Sequence, residues 1–350
     1  MIRKNITIYD IAREAGVSPA TVSRILTGST SVRKEKRDRV NSLIAKYNFR
    51  PNAMARALTE TRTKLLGMVM TDTGNPYYNS VYSACSNEAY QRGYVTMLMN
   101  TFSRPEMEMS ALSKLVEQRA DAIILCGGRV DLEEQDPSFT RLLETTLETT
   151  PVVVGSRSCH ERVYGVAVDH EGSVDLAFDY LAALGHRRFG FCYTGSEFYG
   201  TQLKLVRFRQ NMARLGLPVR EEWLIPVKGY DCPSGWEGIN RLMTLPELPT
   251  ALLGMNDLVT AGMLQGLLAH GVRVPDDISL MGFDDTFITT ITSPQLTAVD
   301  YDYGEYARLL VDTAVGAIEG REMPLNQLVP LSLSIKKSCA PPPFARRKRA

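Results

Sequence analysis

From Leu65 onward, short apolar runs alternate with segments that have the periodicity of amphipathic helices. The runs are LLGMVMTD, YVTMLMNT, DAIILCG and PVVVGSR, followed by RFGFCYT, TALLGMN and DISLMGF. Strands that alternate with helices form parallel sheets covered on both faces, because each crossover helix packs back onto the sheet. The runs fall into two blocks, so the pattern predicts an α/β body of two lobes with similar folds.

The first fifty residues have a different pattern, which predicts three short helices. Thr7 and Asp10 form a capping box, and apolar residues follow at helical spacing. Gly16 permits a tight turn, and Ser18 with Pro19 forms an N-cap followed by proline at the first helical position. The second helix is predicted over residues 19–26 and the third over residues 34–47. Their expected buried residues are Val22, Ile25 and Leu26, then Val40, Leu43, Ile44 and Tyr47.

Charge is distributed unevenly along the chain. Residues 1–64 contain 14 Lys and Arg against 5 Asp and Glu, a net charge of +9. Residues 65–350 contain the remaining 26 Lys and Arg against 34 Asp and Glu, a net charge of −8. A concentrated positive end favours a polyphosphate partner, because cations close to a duplex release its condensed counterions. An acidic body avoids nonspecific adhesion to the same DNA.

Several classes of protein are disfavoured by what the sequence lacks. It has no apolar leader with a small-residue cleavage site and no run of about 18 apolar residues, so we expect a cytoplasmic protein with no membrane partner. Six cysteines without a C-x-x-C pair or a histidine cluster predict reduced packing residues and no metal or cofactor. The phosphate-loop, zincin and nucleophile-elbow motifs are missing, so we expect no catalytic residues.

The string TIYDIAREAGVSPATVSRIL has the geometry of a helix-turn-helix, whose second helix enters the major groove of DNA. Together with Arg50-Pro51-Asn52, it resembles the head and hinge of the lactose/galactose repressor family. The body resembles the same family in Gly185-His186-Arg187, in Asn256-Asp257 and in the string VPDDISLMGFDD. The resemblance covers nearly the whole chain.

The resemblance implies a sequence-specific transcriptional regulator, a repressor, that binds a pseudo-palindromic operator in double-stranded DNA as a homodimer. A tetramer is left open. It implies an all-α helix-turn-helix head with a hinge helix, followed by an α/β two-lobed body similar to periplasmic sugar-binding proteins. A solute-binding protein would share the body, but would need a signal peptide and would lack the basic head. A sugar-modifying enzyme on the same body is the other alternative.

The implied domain boundaries follow the two patterns. Residues 1–49 form the head, 50–62 the hinge helix and linker, 63–340 the body for effector binding and dimerisation, and 341–350 a basic tail that we expect to be disordered. Within the body, we expect lobe one to comprise about 63–163 and 294–322, and lobe two about 164–293 and 323–340.

The resemblance also assigns DNA-contacting residues. Tyr9, Ser18 and Thr21 are expected on the phosphate side, and Arg24 is the candidate for a guanine edge. Leu58 is the expected apolar wedge in the central base step, with the hinge helices side by side in the minor groove. Pro19 and Ala20 lie where the family reads bases, but they offer only apolar contact. The full predicted set is Ile8, Tyr9, Ser18, Pro19, Ala20, Thr21, Ser23, Arg24, Asn52, Ala55 and Leu58.

The predicted effector site lies between the lobes at the carboxyl ends of the strands. Its predicted residues are Tyr77, Tyr78, Ser156, Arg157, Phe198, Lys204, Tyr230, Asn256 and Asp284. Aromatic and polar groups suit a sugar or a similar polar molecule. Lys204 departs from the arginine common in the family, and with Arg157 it favours a sugar acid, although both could be solvated surface charges. One of the two tyrosines could equally be a packing residue. Asp284 is assigned to the ligand because Asp285 is available to cap the next segment.

The charge distribution predicts that the head supplies the DNA affinity. A fragment beginning at Lys64 should not bind DNA at physiological salt, whereas the full chain should bind with a strong salt dependence. Electrophoretic mobility shifts of both proteins at several salt concentrations check this. Retardation of operator DNA by the fragment would contradict the division of roles.

Overall fold

A computed structural model describes residues 6–26, 32–49, 62–132, 134, 136–158, 160–195 and 197–343. The chain divides into two compact units, Met1–Thr63 and Lys64–Ala350. The predicted hinge helix that begins at Pro51 lies outside the described residues, as does most of the predicted tail. In the described part of the chain, no helix combines the length and apolar character needed to cross a membrane.

The first unit contains the three predicted helices: α1 (Ile8–Ala15), α2 (Pro19–Leu26) and α3 (Lys34–Tyr47). The capping box is present: Thr7 Oγ1 accepts a hydrogen bond from the Asp10 amide at 3.3 Å, and the Asp10 carboxylate accepts one from the Thr7 amide at 3.0 Å. Gly16 has a φ of 64°, the left-handed conformation that the turn requires. Glu14 ties α1 to α3 by accepting hydrogen bonds from Lys46 Nζ and Tyr47 Oη, both at 2.8 Å.

The core of this unit matches the predicted apolar stripes. Its fully buried residues are Ile11, Ala12, Ala15, Val22, Ile25, Val40 and Leu43, and Leu26, Ile44 and Tyr47 pack against them half-buried. Each helix is short, so its stability depends on this shared core rather than on helix propensity.

The second unit is built on two six-stranded sheets, one in each lobe. The first sheet contains β1 (Leu65–Met70), β2 (Val95–Asn100), β3 (Ala122–Cys126), β4 (Val152–Val154), β5 (Tyr164–Val168) and β11 (Asn326–Val329). The spatial order is β11-β5-β4-β3-β1-β2, and every pair is parallel. The helices of this lobe are α4 (Pro76–Gln91), α5 (Pro105–Glu117), α6 (Pro137–Leu147) and α12 (Tyr303–Glu319).

The second sheet contains β6 (Phe189–Tyr193), β7 (Leu224–Pro226), β8 (Ala251–Gly254), β9 (Ser279–Asp284), β10 (Thr297–Tyr301) and β12 (Leu331–Ser334). The spatial order is β12-β10-β9-β8-β6-β7, with β12 antiparallel to β10 and the other pairs parallel. The helices of this lobe are α7 (His170–Ala183), α8 (Tyr199–Arg214), α9 (Cys232–Leu242), α10 (Asp257–Ala269) and α11 (Ile288–Ile291). Two short 3₁₀ turns span Gly128–Asp131 and Glu221–Trp223.

The chain passes between the two sheets at places that differ from the predicted lobe boundaries. The strand β5 pairs with β4 and β11, so the first crossing follows Val168 and does not precede residue 164. The strand β10 belongs to the second sheet, so the return follows Tyr301. The last crossing lies between β11 and β12, not near residue 323. The prediction failed here because the sheet that β5, β10 and β11 join is decided by pairing with strands distant in sequence.

Candidate DNA-reading surface and ligand cleft

The predicted DNA contacts of the head lie mostly on its solvent-facing side. Ser18, Ala20 and Arg24 are exposed, Pro19, Thr21 and Ser23 are half-buried, and Tyr9 is 69% exposed. The hydroxyls of Ser18 and Thr21 are 2.9 Å apart at the start of α2, and Ser18 Oγ also accepts from the Thr21 amide at 3.2 Å. Ile8 packs against the core of the head. Asn52, Ala55 and Leu58 lie outside the described residues.

The nine predicted effector residues all follow carboxyl ends of parallel strands. Tyr77 and Tyr78 follow β1, and Ser156 and Arg157 follow β4. In lobe two, Phe198 and Lys204 follow β6, Tyr230 follows β7, Asn256 follows β8, and Asp284 ends β9. Ligands of parallel α/β sheets bind outside this edge, since the loops there converge. The residues belong to both lobes, so the arrangement is that of a cleft between them.

Lys204 lies inside the protein, with 2% of its surface exposed. Its Nζ is 3.4 Å from Tyr301 Oη and 3.9 Å from the centre of the Phe283 ring. Burial lowers the pKa of Lys204 to about 8, although the carboxylates of Asp284 and Asp257 oppose this shift. Burial also raises the pKa of Asp284 to about 6, and the Lys204 ammonium limits that rise. Lys204 is therefore not a solvated surface charge but part of a buried cluster with two carboxyl groups.

Asp284 has an unusual backbone, with a φ of 96°, and Asp285 follows with a φ of 52°. Left-handed conformations of non-glycine residues cost roughly 1–3 kcal/mol and persist where the surroundings impose them. The Asp284 carbonyl accepts a hydrogen bond from Tyr303 Oη at 2.9 Å. The Asp285 carboxylate accepts from Thr289 Oγ1 at 2.7 Å and pairs with Lys336. Asp285 thus bonds a side chain of the following helix, although it does not cap that helix, whose N-cap is Phe287.

Tyrosines from both lobes meet around Tyr77. Its ring makes edge-to-face contacts with Tyr78, Tyr301 and Tyr303, with centroid distances of 5.1, 6.4 and 6.1 Å. Its hydroxyl lies 3.5 Å from Tyr306 Oη, which in turn donates to the Gly155 carbonyl at 2.7 Å. Tyr77 therefore has a packing role between the lobes. Sequence reasoning missed Tyr301 and Tyr303, because the predicted lobe boundary hid that they flank a crossing.

Asp131 is a second residue that sequence reasoning missed. It ends the 3₁₀ turn after β3, and burial raises the pKa of its carboxyl to about 6, against a hydrogen bond with Ser156 that lowers it. Arg129 fixes this turn: its guanidinium donates to Glu108 at 3.0 Å, to Asp136 at 2.8 Å and to the Pro105 carbonyl at 2.8 Å. The sequence signal that could have identified Asp131 is its position soon after the predicted strand DAIILCG.

The rim of the cleft holds contacts between the two lobes. Arg157 is exposed, and its Nη1 donates to Tyr199 Oη at 3.0 Å. Leu132 of lobe one forms an antiparallel β-bridge with Phe198 of lobe two, whose ring lies 6.3 Å from that of Tyr230. Arg157 therefore bonds across the rim, whereas Lys204 is buried.

Asn256 is buried and both ends of its amide are occupied. Its Oδ1 accepts from the Val259 amide at 2.8 Å and caps α10, and its Nδ2 donates to the Tyr230 carbonyl at 3.1 Å. In this structure Asn256 orients Tyr230.

Known proteins resemble both parts of the chain. Residues 7–52 match the family model described as bacterial regulatory proteins, lacI family, and residues 178–339 match a periplasmic binding protein-like domain. Catabolite control protein A of Priestia megaterium is 31% identical over 312 residues, covering 88% of this chain and 92% of its own. The chain belongs to the lacI family.

Other members of the lacI family match over similar lengths. The HTH-type transcriptional repressor PurR of Haemophilus influenzae is 29% identical over 323 residues, covering 92% of this chain and 94% of its own. The crystal structure of the lac repressor dimer bound to operator and the anti-inducer ONPF shares the fold, with a TM-score of 0.84 at 24% identity over 96% of this chain and all of that one. This lacI-family chain is thus a transcriptional regulator, not an enzyme, with a DNA-binding head and a ligand-binding body.

The raised pKa of Asp131 predicts a pH dependence of stability. Its carboxyl keeps a proton up to about pH 6 when folded, against an ordinary value of 3.8, so the native state binds more protons between those values. The Asp131 carboxyl therefore contributes stability that is lost as the pH rises from 4 to 6. Between pH 4.5 and 6.5, the free energy of unfolding of the wild type should decrease relative to that of Asp131→Asn, as measured with urea. An unchanged difference between the two proteins would contradict the raised pKa.

Proposed function

We propose that this regulator represses transcription by binding a pseudo-palindromic operator as a homodimer, and that a small polar ligand held between the lobes controls the binding. Such a protein acts in the cytoplasm, where the chromosome is. The observation that carries the proposal is the presence, in one chain, of an exposed recognition helix and a cleft to which both lobes contribute polar groups, those of lobe two being buried.

Arg24 is proposed as the main base-reading residue. It is exposed near the end of α2, and the preceding positions Pro19 and Ala20 have no side-chain donor or acceptor. Arginine reads guanine through paired hydrogen bonds to O6 and N7, whereas proline and alanine offer only apolar contact, for example to a thymine methyl. Discrimination therefore depends on Arg24 and on the deformability of the operator.

We propose that the hinge links ligand to operator. A segment of about eight residues cannot hold a helix alone in water, so it depends on its partner hinge and on DNA. Lobe closure that changes the separation of paired hinges would then weaken or strengthen the Leu58 wedge. Such coupling is reciprocal, so operator binding changes ligand affinity by the same factor.

The ligand proposed for the cleft is a sugar or a related polar metabolite. The tyrosine rings around Tyr77 offer apolar faces, and Asp131, Lys204 and Asp284 offer hydrogen-bonding groups from both lobes. Carbohydrates present both kinds of surface.

The homodimer is supported by exposed apolar side chains in lobe two. Phe287 is 58% exposed and Ile291 is 69% exposed, and they are one helical turn apart at α11. Apolar residues on one face of a surface helix mark an interaction site rather than scattered exposure. The lac repressor, whose fold this chain shares, is a dimer in its complex with operator.

Arg24→Ala should reduce discrimination between DNAs. An operator selected from a random pool with the full chain should lose about 10- to 100-fold in affinity, while unrelated DNA loses much less, because a bidentate base contact is worth about 1–3 kcal/mol. The matched control is Lys36→Ala, an exposed cation of α3 whose loss should affect both DNAs similarly. Fluorescence anisotropy with both DNAs measures the ratio. Equal losses for Arg24→Ala on both DNAs would exclude base reading.

Ile291→Arg should break the dimer, because it buries a charge in an apolar interface. Sedimentation equilibrium should show a monomer, and operator affinity should fall by at least about 100-fold as the two heads lose their linkage. Val206→Arg, at an exposed apolar position on α8 of the same lobe, is the control and should remain dimeric. If Ile291→Arg stays dimeric, the interface lies elsewhere.

A further inference from the structure

Two buried polar atoms near Lys204 have no hydrogen-bond partner among the described residues: Nδ1 of His170 and Oδ1 of Asp257. His170 is the first residue of α7, directly after the chain enters lobe two, and Asp257 is the first residue of α10. Neither position was predicted to bind ligand. Most buried polar groups in proteins are paired, so each exception requires an explanation.

Both side chains are held firmly in place. A Cβ at Gly200 would lie 2.6 Å from His170 Nε2, so α8 approaches the imidazole as closely as a glycine allows. Asp257 is 2% exposed, and its Oδ2 accepts from the amide and the hydroxyl of Thr286 at 2.5 and 2.7 Å. Its unpaired Oδ1 therefore keeps a fixed position next to β9.

Charge connects these residues to the predicted ligand site. Burial, with a smaller effect from the Lys204 ammonium, lowers the pKa of His170 to about 3, so the imidazole is neutral. Electrostatic attraction to Asp284 and Asp257 opposes the lowering of the Lys204 pKa by burial. Within the described residues, the only hydrogen bond of the Lys204 ammonium is the 3.4 Å contact with Tyr301. The cluster of His170, Lys204, Asp257 and Asp284 thus has unused hydrogen-bonding capacity on every member.

Another buried histidine of lobe two shows what a structural role requires. His186 is 1% exposed, and its Nδ1 is 2.9 Å from Thr250 Oγ1 while its Nε2 is 3.1 Å from Ser279 Oγ. Both nitrogens of His186 are satisfied by the protein. The contrast indicates that His170 is not retained for the stability of the fold.

We propose that His170 and Asp257 are ligand-binding residues, and that the ligand presents hydroxyl or amino groups to this cluster. The inference rests on the proposed function of the cleft and names the ligand class that fits it. Hydroxyl groups can donate to the carboxyl oxygens and accept from the Lys204 ammonium, and a protonated amine can only donate. A ligand carboxylate offers no donor to Asp284, and the Lys204 ammonium already interacts with Asp284 and Asp257, so the cluster favours hydroxyl groups over a carboxylate.

The first experiment needs no ligand. His170→Leu should raise the melting temperature of the body in the full chain by about 2–4 °C, because it removes a buried polar atom that has no partner. His186→Leu, the matched control, should lower the melting temperature, because it removes the hydrogen bonds of the imidazole with Thr250 Oγ1, Ser279 Oγ and the Ala340 carbonyl. A lower melting temperature for His170→Leu would overturn the assignment, since it would mean that the imidazole stabilises the fold. This comparison tests whether His170 has a structural role and needs no bound ligand.

The second experiment tests the ligand class with matched sets of compounds. Glucose, glucosamine and glucuronate, and the same three forms of galactose, are compared at equal concentration by the rise in melting temperature, since a ligand of the native state stabilises it. The neutral and amino forms should exceed the acid in each set that responds, and His170→Leu and Asp257→Asn should each weaken binding about tenfold by titration calorimetry. A larger response to the acids, or unchanged affinity in both variants, would overturn the inference. If an acid nevertheless changes operator binding, the proposed regulator function stands while this inference fails.

Discussion

The parallel arrangement of strands determines where function can lie in the body. Apart from β12, the strands of both sheets run parallel, so the loops at their carboxyl ends gather at one edge of each sheet. The two edges supply Asp131 and Tyr77 from one lobe and Lys204 and Asp284 from the other. Elements far apart in sequence therefore meet without a long loop, because strand direction alone brings them together.

Groups in the cleft are kept in states that folding alone would not favour. Asp284 holds a left-handed backbone, and among the described residues Lys204 is buried with one weak hydrogen bond while His170 and Asp257 retain unpaired atoms. Such features cost stability, and the surrounding apolar strands supply it: β3, β4 and β9 are buried along their whole length. Binding sites commonly combine a rigid apolar scaffold with local polar groups whose partners come from the ligand.

Sequence patterns sufficed for the helices of the head, whose caps and apolar spacing are local. The same holds for the placement of Lys204 and Asp284 after their strands. The misplaced crossings arose from the short strands β5 and β11, whose pairing is decided by contacts distant in sequence. His170, Tyr301 and Tyr303 were missed for the same reason, since they matter only because the chain changes lobe beside them. Arg157 bonds to Tyr199. Residue spacing in the sequence could not predict this contact, because it depends on side-chain geometry.

The three crossings between the lobes are very short. Each has a single residue between its two elements, namely Asp169, Asp302 and Pro330, and the two aspartates also cap the helices that follow. Three such tight connections permit one lobe to rotate relative to the other, as in hinge closure, and they restrict sliding and twisting between the lobes. A bound ligand would then change mainly the angle between the two lobes. His170 and Tyr303 lie directly beside two of these connections. A small displacement there produces a large movement at the opposite end of a lobe.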